Sequence, residues 1–409
     1  MVPINDASEL SLWPESAWAP SVAPVVVFPT GKVPEQAAAV ELFSVLHVIN
    51  GEHYAGAERV QDLLATRLQD FGYAVGFATL KPGRFAAQRD SQTAPLHALS
   101  MRNRFDLRPA FALARLVKAH EYRLIHTHTP RAALVGRLAA ELTGVPLVHH
   151  LHSPTGTDTT HRLRNQLNAA VERWGFARAR RVIAVSDSLA DYGQLQGIPR
   201  ERLQVIPNGV PAVGSSAVRP LSGNCCVLGC VALFRQRKGL EILLEALAQL
   251  RSQGRNVTLR AVGSFETEAY ERTIRQQVDR LKLEDRIQWV GFSSNVGAEL
   301  ARMDLFVLPS LFGEGMPMVI LEAMAAGVPV VASRVEGVPQ VIRNGLDGLL
   351  AEPGDPHDLA WQISRILDGE VDAQTLRKSA LRRQASQFSD VSMARATAGV
   401  YDQLLRKST

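Results

Sequence analysis

FGEGMPMVILEAMAAGVPVVAS, residues 312–333, places two carboxylates, Glu314 and Glu322, around the start of a helix. Pro317 suits the first helical position, where its missing N–H has no partner to lose. The run from Val319 to Ala326 reads as a short buried helix, with Gly327 at C′ and Pro329 preventing any continuation. Glu314 then falls in the loop ahead of the helix and Glu322 inside it. The amides of Gly315, Met316 and Met318 are expected at the helix N-terminus, whose partial positive charge attracts anions such as phosphate. Glu322 has Ile320, Leu321, Ala323 and Met324 as neighbours, and a carboxylate in such a setting is costly unless it finds a partner.

Two carboxylates flanking a phosphate seat suit a ligand with both hydroxyls and phosphates, such as a nucleotide-sugar. Glu322 could accept ribose hydroxyls and Glu314 a sugar hydroxyl, each charged acceptor contributing roughly 1.5–3 kcal/mol. The plainer alternative is a strand–helix–strand unit with two solvated glutamates.

At 409 residues, 46% hydrophobic and 21% charged, the chain is long enough for two or three globular domains. No apolar run approaches the 18 or so residues of a membrane span, and no secretory signal is evident, so a cytosolic location is expected. Cys225, Cys226 and Cys230 cluster in one apolar segment and read as strand core rather than as a disulfide or metal set. A net charge of +5 suits anionic substrates or an anionic membrane surface better than nucleic acid. Six arginines (162, 164, 173, 178, 180, 181) lie between Arg162 and Arg181, against the single acid Glu172. They form either a solvated helix face or a contact for a phosphorylated or membrane-bound acceptor, each near an anionic surface adding roughly 1 kcal/mol.

Residues 1–44, rich in Pro, Ala, Ser and Val, are expected to be a disordered extension. Order is expected from Val45–Ile49, followed by a glycine-containing loop and a helix with apolar residues at 60, 63, 64, 68 and 71. Strands at Leu124–Thr127, Pro146–Leu151, Val182–Ser186 and Leu203–Ile206 alternate with helices at Arg131–Thr143 and about Thr159–Ala179. After a polar linker, 213–224, the alternation restarts with strands at Cys226–Leu233, Val257–Val262, Ile287–Val290, Leu305–Leu308 and Pro329–Ala332. This predicts an α/β chain of two Rossmann-like, doubly wound domains, 45–212 and 225–380, facing each other across a cleft. Ligands in such sheets bind at the carboxyl ends of the strands.

Arg235–Gly239, RQRKG, follows a strand and opens a helix. Positive charge is unfavourable at a helix N-terminus unless an anion is present, so Arg235 and Lys238 are expected to neutralise a diphosphate. His152, in VPLVHHLHS, sits just past a strand end on the expected cleft, with His149 and His150 before it. His128, in LIHTHTP, ends the preceding strand and is the acceptor-side candidate. No Asp-x-Asp occurs, which argues against a divalent metal clamping the diphosphate, and no cofactor is expected.

These segments resemble family 4 retaining glycosyltransferases of the GT-B fold. The resemblance rests on YAGAE (54–58), LIHTHTP (124–130), RVIAVSDS (181–188), VIPNGV (205–210), RKGLEILLEA (237–246), EGMPMVILEAMAAGVPVVAS (314–333) and GVPQVIRNGLDGLL (337–350). It implies transfer of a sugar from a UDP- or GDP-linked donor to a hydroxyl acceptor, in glycolipid, polysaccharide or cell-envelope synthesis, without a metal. A lipid-linked acceptor and peripheral contact with the inner face of a membrane fit that setting.

By resemblance, Glu314 and Glu322 are the paired glutamates that bind donor sugar and ribose, and Gly315, Met316 and Pro317 form the loop approaching the sugar. Met318 then stands at the start of the phosphate-binding helix. Lys238 contacts the diphosphate, His152 lies by the sugar's reacting face, and Gly56 lies near the phosphates. The last helix, 381–409, is expected to pack back on the first domain. The chain departs from the family at Leu233, where a diphosphate arginine is usual and Arg235 is the substitute on offer. It departs also at Ala55, in place of a glycine, and at Gln340, in place of a glutamate.

Overall fold

The computed structural model describes residues 42–103, 106–154, 170–171, 173–213 and 225–406. The 1–44 extension (up to 41), the 213–224 linker (from 214), most of the Thr159–Ala179 helix and Arg162, Arg164 and Glu172 lie outside the described residues.

The first sheet holds β1 (Phe43–Ile49), β2 (Tyr73–Thr79), β3 (Leu96–Ala98), β4 (Leu124–Thr127), β5 (Leu147–Leu151), β6 (Arg181–Ala184) and β7 (Leu203–Val205). Its order is β3-β2-β1-β4-β5-β6-β7, parallel throughout. The second holds β8 (Cys226–Val231), β9 (Val257–Val262), β10 (Ile287–Gly291), β11 (Leu305–Leu308), β12 (Val330–Ser333) and β13 (Leu349–Ala351). Its order is β10-β9-β8-β11-β12-β13, also parallel. Strands buried on both faces need continuous apolar runs, which VLHVI, LFVL and VVA supply.

In each sheet the chain winds outward in one direction and then reverses. The reversals lie between β1 and β4 and between β8 and β11. Such switch points open a crevice at the strand carboxyl ends. The loops leaving these four strands carry Gly56, His128, Lys238 and Glu314, so topology alone assembles the candidate residues.

Several boundaries shift from the sequence expectation. The first strand begins at Phe43, two residues earlier, because Phe43 N bonds Gly72 O at 2.9 Å and joins the ladder to Tyr73. The helix after Glu314 is Met318–Ala325, and Pro317 caps it from outside with an extended ψ of 114°. Ile320 and Leu321 in it are fully buried, each contributing about 1.5–3 kcal/mol. Arg235 does not open a helix directly. Gln236–Lys238 is a single 3-10 turn, and Gly239 at φ 64° starts the helix Leu240–Ser252. A Cβ on Gly239 would lie 2.0 Å from Pro309 O, so glycine is required there on two counts.

Cys226 and Cys230 are buried strand residues and all three cysteines are free thiols, in keeping with core packing. At the chain's end, Ala373–Gln387 packs under the helix Met318–Ala325, so residue 381 lies inside it. The crossing to the first sheet comes at Ser389, and the helix Asp390–Leu405 then lies against the helix Gly56–Arg67. Tyr73 Oη donates to Asp402 at 2.6 Å and Arg67 Nε to Asp390 at 2.6 Å, fastening it there.

Candidate active site

Glu314 is 4% exposed at the end of β11's loop. Lys238 Nζ donates to its Oε1 at 2.5 Å and Ser310 Oγ at 2.6 Å. Burial acts to raise the Glu314 carboxyl, but the charges of Lys238 and Arg237, with those hydrogen bonds, outweigh it and hold it below its ordinary value. Burial in turn draws the Lys238 amine below its ordinary value, and Glu314 opposes that fall, so each partner supports the charged form of the other. The loop holding Glu314 is fixed from behind by Glu336, which accepts from Gly313 N at 2.9 Å and Glu314 N at 3.2 Å. Arg237 Nη1 also donates to Gly313 O at 2.7 Å. Ahead of the helix, the amides of Gly315 and Met316 have no protein acceptor among the described residues, as a phosphate or sugar seat requires.

Glu322 lies inside the buried helix, 8% exposed, and its partner is Arg59, from the first turn of the helix Gly56–Arg67 across the cleft. Burial raises its carboxyl and Arg59 opposes that rise. Apart from Arg59, no protein group among the described residues donates to either oxygen, so acceptor capacity remains for ligand hydroxyls. Gly56 starts Arg59's helix, and a Cβ there would lie 3.8 Å from Met318, so the two helix N-termini meet. In the same turn, burial pushes the Glu58 carboxyl up to about 7.

His152 closes the opposite wall. A Cβ on Gly315 would lie 2.2 Å from His152 O and 2.7 Å from Leu189, so only glycine allows the walls to approach. Gly315→Ala is therefore expected to hold the walls apart and lower turnover about 100-fold, since a misplacement near 1 Å can have that effect. Steady-state kinetics at saturating donor would check it. His152 Nε2 lies 3.0 Å from His128 Nδ1, and His128 is buried at 3% exposure, so it reaches the cleft only through His152. Asn208 donates to Met316 O at 3.0 Å, and Gln340 accepts from Asp187 N at 2.7 Å, tying the same walls. The Gln340 departure thus retains the acceptor oxygen this contact needs.

Arg235 stands apart. Its guanidinium turns outward to Glu266 at 3.3 Å, while Lys238, Arg237, Glu314 and Ser310 form one group. The residues missed by sequence reasoning are Arg59, Arg237, Glu336 and Ser310. An arginine in an amphipathic helix start and a glutamate in a loop carry no local signal of contacts with such distant chain segments.

Residues 54–212 match Glycosyltransferase Family 4 and residues 225–369 match Glycosyl transferases group 1. The chain belongs to glycosyltransferase family 4, and its two Rossmann-like domains are of the GT-B type. It is 28% identical over 281 residues, 65% of this chain and 72% of the other, to the UDP-Gal:alpha-D-GlcNAc-diphosphoundecaprenol alpha-1,3-galactosyltransferase of Escherichia coli. It is 31% identical over 216 residues to the amylovoran biosynthesis glycosyltransferase AmsK of Erwinia amylovora, covering 51% of this chain and 52% of that protein. The chain spans about half the length of several curated relatives it matches. The crystal structure of Anabaena HepE in complex with UDP-glucose superposes with a TM-score of 0.77 at 28% identity, over 88% of this chain and 100% of that one.

Proposed function

We propose that the protein is a retaining glycosyltransferase that moves a sugar from a UDP-linked donor to a hydroxyl of a lipid-linked glycan acceptor. The observation that carries this is the convergence of Lys238–Glu314 and Arg59–Glu322 on one crevice, at the carboxyl ends of two switch points. Glu322 receives ribose hydroxyls and Glu314 a sugar hydroxyl. Lys238, released from Glu314, faces the diphosphate with the amides of Gly315 and Met316. His152 lies at the sugar's reacting face, and the leaving diphosphate takes the acceptor proton on the side from which it departs. Lys238 stabilises the charge that grows on that oxygen, a preorganised electrostatic effect. Lys238 and the helix N-terminus do the work of a metal clamp, consistent with the lack of an Asp-x-Asp.

UDP is favoured over GDP because HepE binds UDP-glucose and the E. coli relative is named for UDP-Gal. That relative's diphosphoundecaprenol-linked substrate supports the lipid-linked acceptor, to be met at the inner face of a membrane. No helix among the described residues is long and apolar enough to cross a membrane. The test is incubation with UDP-glucose, UDP-galactose or UDP-N-acetylglucosamine and a polyprenyl-diphosphate sugar, with the new linkage read by NMR. A product with the donor's anomeric configuration is expected. An inverted product would overturn the retaining mechanism.

A further inference from the structure

One face of the first sheet carries imidazoles instead of aliphatic side chains. His47 and His126 are register partners on β1 and β4, and His128 is two residues beyond His126, so the three project to the same side. They are 0%, 0% and 3% exposed, and their ring centroids lie 4.1 to 4.9 Å apart. Each offers a ring nitrogen within 4.8 Å of the other two. Each also has one nitrogen engaged and one buried without a partner. His47 Nε2 and His126 Nδ1 both meet Tyr401 Oη, at 3.0 and 2.7 Å, and His128 Nδ1 meets His152 Nε2 at 3.0 Å. His47 Nδ1, His126 Nε2 and His128 Nε2 have no hydrogen-bond partner among the described residues. A buried polar atom left unmatched is destabilising, so a ligand that engages these imidazoles would relieve a cost. An imidazole held by an outer partner at one nitrogen and open at the other is the arrangement metal-ligating histidines show.

We propose that His47, His126 and His128 form a structural binding site for a divalent first-row metal with a preference for imidazole, Zn2+ in the first instance, oriented by Tyr401 and His152. Three histidine ligands place nitrogen at about 2.0–2.1 Å from the ion, so the rings, whose nitrogens lie within 4.8 Å of one another, would rotate to aim those nitrogens at a common point. Because Tyr401 belongs to the last helix, an ion at this site would lock that helix onto the first sheet. This inference does not depend on the donor-site reading, although it shares His128 and His152 with the candidate active site.

The test uses the untagged full chain, stripped with chelator and titrated with Co2+ and then Zn2+. One Co2+ per chain, with the visible absorption of a low-coordinate nitrogen site, displacement by Zn2+ and a higher melting temperature are expected. His47→Leu should weaken uptake at least 100-fold while leaving the melting shift produced by UDP in place. Tyr401→Phe, which keeps all three ligands, should weaken it about 10- to 100-fold. Absence of Co2+ uptake by the wild-type chain would overturn the proposal. So would uptake unchanged in His47→Leu, which would assign the ion to exposed histidines such as His53, His120 or His357.

Discussion

Lys238→Ala is expected to lower turnover by about 100- to 1,000-fold, the range for removing one preorganised donor to a developing oxyanion. Donor affinity should fall by less than about 10-fold, because ribose and sugar contacts remain. The substitution also leaves Glu314 buried without its cation, and breaking a buried pair destabilises by about 3–5 kcal/mol. The double variant Lys238→Ala with Glu314→Gln separates the two effects, since a neutral amide at 314 lifts that penalty while the missing ammonium still affects chemistry. The check is turnover at saturating donor beside a melting curve. A folded Lys238→Ala protein with wild-type turnover would remove Lys238 from the reaction.

Acid should unfold the first domain well before it would unfold an ordinary α/β domain. Burial pushes His47 down to about 3 and His126, His128 and His150 well below 6.5. Their folded values lie below the unfolded one, so the unfolded chain binds more protons as pH falls. The stability these groups permit is complete above pH 6.5 and is lost as pH falls toward their folded values. For a wholly buried imidazole such as His47, the loss between pH 6.5 and 5 is about 2 kcal/mol. His126, His128 and His150 act in the same direction. Glu58 and Glu322, raised by burial, work in the opposite sense over part of the range, but they are fewer. Melting curves in chelator at pH 7.5 and pH 5 should show a loss of at least about 4–8 °C, from roughly 2–4 °C per kcal/mol. An unchanged midpoint would contradict the buried, neutral state of the stack.

The parts of the fold that follow from local pattern were legible in the sequence. Apolar runs of strand length and the switch from period 2 to period 3.6 placed β1, β4, β5, β8, β9 and β11 within a residue or two. β2, β3 and β13 went unread. Leu96–Ala98 and Leu349–Ala351 are three-residue strands, and Tyr73–Thr79 carries a glycine at its centre that weakens a strand signal. The position of Pro317 was missed by one residue because proline's fixed φ suits both N1 and an extended N-cap, and only ψ decides. That Glu314, Gly315 and Lys238 would lie in one crevice was legible because loop, helix start and charge coincide there. The sequence pointed to Arg235, but the 3-10 turn Gln236–Lys238 brings Arg237 to the loop and leaves Arg235 on Glu266. The histidine layer was readable in principle. LIHTHTP and VHHLHS alternate at the strand period, so His126 with His128, and His150 with His152, had to share a face.

Thermal stabilisation of the wild-type chain by UDP, beside GDP, ADP and NAD, tests the donor site most directly. At 100 times its dissociation constant a ligand of the folded state adds about 2.7 kcal/mol. A clear rise in melting temperature with UDP, reduced in Glu322→Ala and absent with NAD, is the predicted result. A folded chain that none of the four stabilises would contradict a nucleotide-sugar site at Glu314, Lys238 and Glu322.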